Sequence, residues 1–210
     1  MPKTGEPLTR QRILEAALHL IDREGLEGFS MRKLGAVLGV EAMSLYNHVE
    51  SKRALFDGVI EQLIVQSPNP EQLDGTPREE LWAFAHDFRD ILRAHPHVLP
   101  LVATSPLRTR ASLAVLDHLL ATIHRAQITG IQAIYALQCL VGFIVGHTLI
   151  ETGTPPVADL EPGPNGPTVW QQFPAEHYPT LHALLPAIAQ WNPDHEFDFG
   201  LQALFQSLFA

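Results

Sequence analysis

The chain has 210 residues, a mass of 23.3 kDa and a net charge of −9, with 46% apolar and 18% charged residues. Those proportions fit one ordinary domain, or a small head on a larger body, and exclude a disordered or low-complexity chain. A single cysteine, Cys139, excludes a disulfide framework and a cysteine-cluster metal site.

In chain order, the segments read as helices. Residues 9–24 carry Ile13, Leu14, Ala17, Leu18, Leu20 and Ile21 at a 3.6-residue period, with Thr9 as N-cap and Gly25 as stop. Ser30 caps MRKLGAVL, which ends at Gly39; EAMSLYNHV follows, and Ser51 opens KRALFDGVIEQLIVQ. Residues 67–77 are a turn-rich break between domains. The spacing then predicts a helix over Pro77–Ala94, short apolar turns to Thr104, and a helix from Pro106, at a first-turn position, to Gln127. Thr129–Thr152 is the most apolar segment. Residues 153–179 hold seven prolines and read as a long loop. Tyr178–Gln190 and Asp194–Phe209 close the chain as helices. No strand pattern and no internal repeat stands out, so the expected fold class is all-α.

Charge divides the chain. Residues 1–58 carry eight Lys or Arg against eight Asp or Glu, whereas residues 59–210 carry six against 15 and hold the whole −9. The acidic body argues against nucleic acid, while the neutral head, with bases at 10–12, 32–33 and 52–53, leaves it open; a chance split is the alternative. No apolar run of about 18 residues free of charges and breakers is found, and the first residues lack the apolar core of a signal peptide. The chain is therefore expected in the cytoplasm, without a membrane.

Residues 30–49 have the pattern of a helix-turn-helix. Two short helices crossing steeply need a turn glycine, which Gly39 supplies, and a small residue at the crossing, which Gly35 supplies. Leu45 plugs the core between them. Ala42, Met43, Ser44, Tyr46, Asn47 and His48 are left on the second helix's remaining surface, flanked by Arg32, Lys33, Lys52 and Arg53, as base reading with phosphate contacts alongside requires. On spacing alone, a tight helix pair in an ordinary bundle stays open.

The run GLEGFSMRKLGAVLGVEAMSLYNHVESKRALFDGV resembles the DNA-binding head of the tetracycline-repressor (TetR) family, and AIYALQCLVGFIVGHTLIE with EFDFGLQAL resembles that family's body. The resemblance covers nearly the whole chain and is weak over 153–179. It implies a three-helix helix-turn-helix head, 1–58, and a helical effector-binding and dimerisation body, 59–210. It implies a ligand-responsive transcriptional regulator, a repressor released from a palindromic operator by a small organic effector. The recognition helix maps to 41–48. Ala42, Met43, Ser44 and Tyr46 fall where base edges are contacted, and Arg32 where the preceding helix reaches a base. Met31, Asn47, His48 and Lys52 fall where the DNA backbone is contacted or packed against. Tyr46 as a core aromatic is the alternative. Ala42 and Met43 replace polar and proline residues of the tetracycline-binding members; they can touch a thymine methyl and cannot hydrogen-bond a base edge. A different operator is expected.

The homodimer implied by the resemblance uses two helices per subunit, here 129–152 and 194–209. Gly142 and Gly146 form a small-residue face on one, and Phe197, Leu201, Leu204 and Leu208 a stripe on the other; a monomer core is the alternative. The effector pocket is expected among 77–94, 106–127 and 129–152, under the Pro-rich loop, with Phe84, Phe88, Leu92, Leu101, Leu116, Phe143, His147, Trp170 and Phe173 as candidate walls. Plain core is the competing reading for each. Members that hold a magnesium chelate use a histidine and a glutamate where Leu101 and Ile150 stand here, so no metal, no cofactor and an apolar effector are expected. His118 and His147 are expected as hydrogen-bonded core histidines. A helical enzyme using Asp117, His147 and Glu151, or a protein-interaction module without DNA, remains the alternative function; no G-x-S-x-G elbow or phosphate loop supports an enzyme.

Overall fold

Apolar spacing and a well-placed cap start the first helix, α1, Arg10–Gly28: Thr9 accepts the Arg12 N–H at 3.2 Å, and Ile13, Leu14, Ala17, Leu18, Leu20 and Ile21 are buried on one face. The chain leaves helical geometry at Gly25, as expected of that glycine, but recovers for one further turn to Gly28. The computed structural model describes residues 7–66, 75–153, 174–188 and 190–209. Among these it is all helical. The elements after α1 are α2 (Met31–Leu38), α3 (Ala42–Leu45), α4 (Lys52–Ile64), α5 (Pro77–Ala94), a 3-10 turn at Pro96–Val98, α6 (Leu99–Thr104), α7 (Arg110–Arg125), α8 (Ile131–Thr152), α9 (Pro179–Ile188) and α10 (Pro193–Leu208).

Two hydrophobic cores result. The head core joins α1, α2, α3 and the outer face of α4 through Leu34, Leu45, Leu55, Val59 and Leu63. The body core joins α5, α7, α8 and α10 through Phe84, Phe88, Leu119, Leu140, Ile144, Phe197 and Phe205. Helix α4 serves both, because Ile60 and Ile64 turn the other way into the body core. No loop parts head from body within α4, so the 58/59 division runs through a helix. Most of the expected 67–77 break lies outside the described residues.

Three expectations need correction. Helix α7 starts at Arg110, not Pro106, because the Thr109 hydroxyl accepts the Ser112 N–H at 3.1 Å and caps it there. Helix α8 is, against the sequence expectation, long and apolar enough for a membrane span by length and composition, at a mean hydropathy of 1.8 over 18 residues. Here it packs against α5, α7 and α10, burying Ala133, Ala136, Leu137, Leu140, Ile144, Val145 and Thr148. Finally, the Phe197–Leu201 stripe is subunit core: both residues are fully buried, whereas Phe199 is 78% exposed. An apolar stripe shows that a face is covered, not by what. Trp170, Phe173 and most of the Pro-rich loop, 154–173, lie outside the described residues.

Candidate nucleic-acid interface and effector site

The head presents α3 to solvent. Gly39 ends α2 in the left-handed region, φ +72°, which L side chains resist. A Cβ on Gly35 would lie 2.8 Å from the Val40 carbonyl oxygen, so only glycine lets α3 cross so closely. Leu45 is fully buried and pins α3's inner face. The helix is α-helical only to Leu45; Tyr46, Asn47 and His48 continue it through i→i+3 bonds to Met43, Ser44 and Leu45.

The candidate DNA residues separate by exposure. Met43 is 73% and Tyr46 42% exposed, with Asn47, His48 and Arg32 also exposed. Tyr46 is therefore no core aromatic. Ala42 and Ser44 are half-buried. Met31 lies in the head core and can act only from beneath. Lys52 sits at the start of α4 with its ammonium 5.3 Å from the centroids of both Phe29, at the end of α1, and Phe56, on α4 itself, a cation–π seat that fixes it there. Lys33, by contrast, turns back along the surface onto α1, donating to Glu24 Oε2 and the Gly28 carbonyl, each at 2.7 Å, and so closes the end of α1. With the Arg23 guanidinium it also holds the Glu24 carboxyl below its ordinary range.

In the body, the structure divides the candidate pocket residues between two places. Phe84 and Phe88 stack at 5.5 Å and are buried with Leu92 in the core, with half-buried Leu101 and Leu116 packed against it. Phe143 and His147 instead face α10 and contact Phe197 at ring distances of 5.2 Å each. Two cavities, of about 300 and 260 Å³, lie elsewhere: one between Arg78, Arg125, Gln127 and Phe209, the other a head groove between α1 and α2. None of the seven candidates among the described residues lines either.

Sequence reasoning missed the charge network beside Phe197. Arg89, nearly fully buried, lies over the Phe197 ring at 4.6 Å and pairs with Glu151 at 3.0 Å and Asp194 at 2.8 Å. Arg93 pairs with the same two carboxylates, each at 3.2 Å. The hydrogen bond from Arg89 holds the Asp194 carboxyl below its ordinary range. His147 stands 3.7 Å from Glu151 and 3.6 Å from Glu196, yet both ring nitrogens are buried without a hydrogen bond, contrary to expectation. Burial, aided by Arg89 and Arg93, lowers its pKa against the pull of Glu196 and Glu151. His118 does reach a partner, the Thr122 hydroxyl at 3.4 Å. A second buried carboxylate, Glu80, bonds Thr122 and Arg125. Asp117 is exposed on α7 and takes no part in the His147–Glu151 cluster. Among the described residues, no group of three or more His, Cys, Asp or Glu could hold a metal.

A helix-turn-helix head on this helical body can be matched to known proteins. The sequence profile "Bacterial regulatory proteins, tetR family" matches residues 13–59, and "Tetracyclin repressor-like, C-terminal domain" matches residues 69–208. The chain belongs to the TetR family. It is 30% identical to the HTH-type transcriptional repressor DrrR1 of Streptomyces coeruleorubidus, over 96% of this chain and 77% of that protein. It is 31% identical to the tetracycline repressor protein class A from transposon 1721 of Escherichia coli, over 93% and 88%. A solved structure described as a possible TetR family transcriptional regulator from Streptomyces coelicolor A3(2) superposes with a TM-score of 0.79 at 28% identity, over 95% and 98%. As a TetR-family member the chain is a DNA-binding transcriptional regulator; its relatives are regulators rather than enzymes.

Proposed function

We propose that the chain is a homodimeric cytoplasmic repressor that binds a palindromic operator and leaves it when a small organic effector enters the body. The observation that carries this is α3, a helix anchored to the head core by the buried Leu45, with Met43, Tyr46, Asn47 and His48 outward. In this reading Arg32, Ala42, Met43, Ser44 and Tyr46 meet base edges, Asn47, His48 and Lys52 meet the backbone, and Met31 supports them. An open apolar face supports the dimer. Side chains at Gly142 and Gly146 would meet nothing within 4 Å, and Tyr135, Ile150, Trp191 and Phe199 are exposed at 61, 78, 56 and 78%. Helix α9 buries no residue although it is apolar, which also suits a partner's surface. One head reads half a palindrome, so two must be joined.

Apolar packing around Phe84, Phe88, Leu92, Leu101 and Leu116 supports an apolar effector, and Leu101 and Ile150 offer no metal ligand. The test is selection of duplexes from a random pool by the full-length protein, followed by titration at several salt concentrations. A palindromic site is expected, with affinity falling steeply as salt rises. Arg32→Ala is expected to cost roughly 1–3 kcal/mol and relax one base position, and Lys52→Ala to weaken all sequences alike and flatten the salt slope. Equal affinity for the selected and random duplexes would overturn the reading.

A further inference from the structure

Head and body are joined by α4 and by a second, non-covalent hold. His95, the residue that ends α5, places Nδ1 2.8 Å from Asp22 Oδ2 on α1. His97, in the 3-10 turn, places its Nδ1 2.8 Å from the backbone carbonyl oxygen of the same Asp22. A carbonyl oxygen only accepts, so His97 carries its proton on Nδ1; an ionised carboxylate only accepts, so His95 does too. Asp22 Oδ1 is buried without a hydrogen-bond partner, so the His95 bond is the only one made by that carboxylate among the described residues. Next along the chain, Val98 is fully buried in the head core and Leu99 fully buried in the body core. Leu101 and Val102 touch both cores.

We propose that Asp22, His95 and His97 are the joint that sets the head's angle on the body, and hence positioning residues for operator binding. The proposal rests on the reading of the chain as a paired DNA-binding head. Two bonds to one residue, side chain and backbone, fix both where α1 lies and how it is rotated. Without them the head is left to pivot on α4. The partly buried Asp22 carboxylate would then face the body without its one donor, which makes the docked arrangement less favourable. The turn that grips Asp22 is continuous with α5 and α6, which carry Phe84, Phe88, Leu92 and Leu101, so a ligand among them would act on this joint directly. If each head occupies the binding angle a third of the time, affinity for a two-headed site falls roughly ninefold.

The experiment reads the head's angle through one distance. In a Cys139→Ser background, spin labels at Ala36→Cys in the head and Ala114→Cys in the body report one intrachain distance, with labelled chain diluted into unlabelled chain. Both positions are exposed. The intact joint is expected to give one narrow distribution. Asp22→Ala and His95→Leu should broaden it at unchanged helix content. His95→Asn, whose amide nitrogen can stand near Nδ1, should restore the narrow form. The two broadening variants should also bind the selected duplex roughly ninefold more weakly. A lowered melting point with an unbroadened distance would reduce the pair to a structural contact and overturn the proposal, as would an Asn variant as broad as Leu. If no duplex is selected by the parent protein, the DNA-binding reading falls, while the distance measurement still decides the joint.

Discussion

Head and body are built on opposite rules. Apart from Asp22 at its seam with the body, the head buries apolar side chains and keeps its charges outside: Lys33 and Glu24 pair at the surface, and Lys52 rides over Phe29 and Phe56. The body buries charge. Arg89 and Glu80 are almost wholly inside, Glu151 is little more exposed, and each is matched by partners brought from distant helices. The turn at the centre of the head, where α2 meets α3, joins elements adjacent in sequence and can be specified by local packing. The body's α5, α8 and α10 have few neighbours close in sequence, and the paired charges dictate how they meet. Buried ion pairs add little net stability, but a broken one is costly.

The largest effect that could break this contrast is expected from Arg89→Leu. It leaves Glu151 buried with only part of its compensation, and a loss of about 3–5 kcal/mol is anticipated in denaturant melts. A loss below about 1 kcal/mol would show that the network is decorative. In the head, Gly35→Val should cost about 1–3 kcal/mol by forcing α3 off α2. Circular dichroism with duplex titration would show the body folded while DNA binding is gone. Proton linkage sharpens the comparison further. Because burial lowers the folded His147 pKa, the unfolded chain takes up the proton first. Stability is therefore complete above about pH 6.5, the ordinary histidine value, and declines as pH falls from there through the lowered native value. His147→Gln should flatten that decline, read as melting temperature against pH. The smallest effects are expected to be equal in both regions. Ser30→Ala removes the acceptor for the Lys33 N–H at the start of α2, and Thr109→Ala that for Ser112 at the start of α7; each should cost about 1 kcal/mol. Unequal costs would mean that the caps, too, answer to their surroundings.

The same contrast explains what could be read in the residues. Ser30, Gly35, Gly39, Leu45 and Ser51 act within about twenty positions, and each has one physical reason to be there. The helix-turn-helix was legible for that reason, and the exposed residues of α3 with it. Pro106 and Thr109 are both good starting signals for α7, and only the hydroxyl that reaches Ser112 decides between them. Arg89 and Glu151 are 62 positions apart, and Asp22 and His95 73. Nothing in a 3.6-residue period announces such meetings. The stripe Phe197–Leu201 is periodic, so its face must be covered, but periodicity does not choose between a partner and the subunit's own core. Phe143, His147 and Arg89 proved to be that cover.

The sharing of α4 between two cores has a consequence for exchange of parts between relatives. Leu55, Val59 and Leu63 belong to the head, and Ile60 and Ile64 to the body. A chimaera spliced between residues 58 and 59 therefore gives a borrowed head a foreign Val59 and Leu63. Transplanting one DNA preference onto another body calls for a crossover beyond Gln66, with Ile60 and Ile64 rewritten to suit the recipient. A second graft is needed at residue 22, where the incoming α1 must offer the turn at 95–97 an acceptor that fits it. Heads of this construction are interchangeable only as a set of three surfaces, and swaps that respect one of them should fold yet answer to no signal.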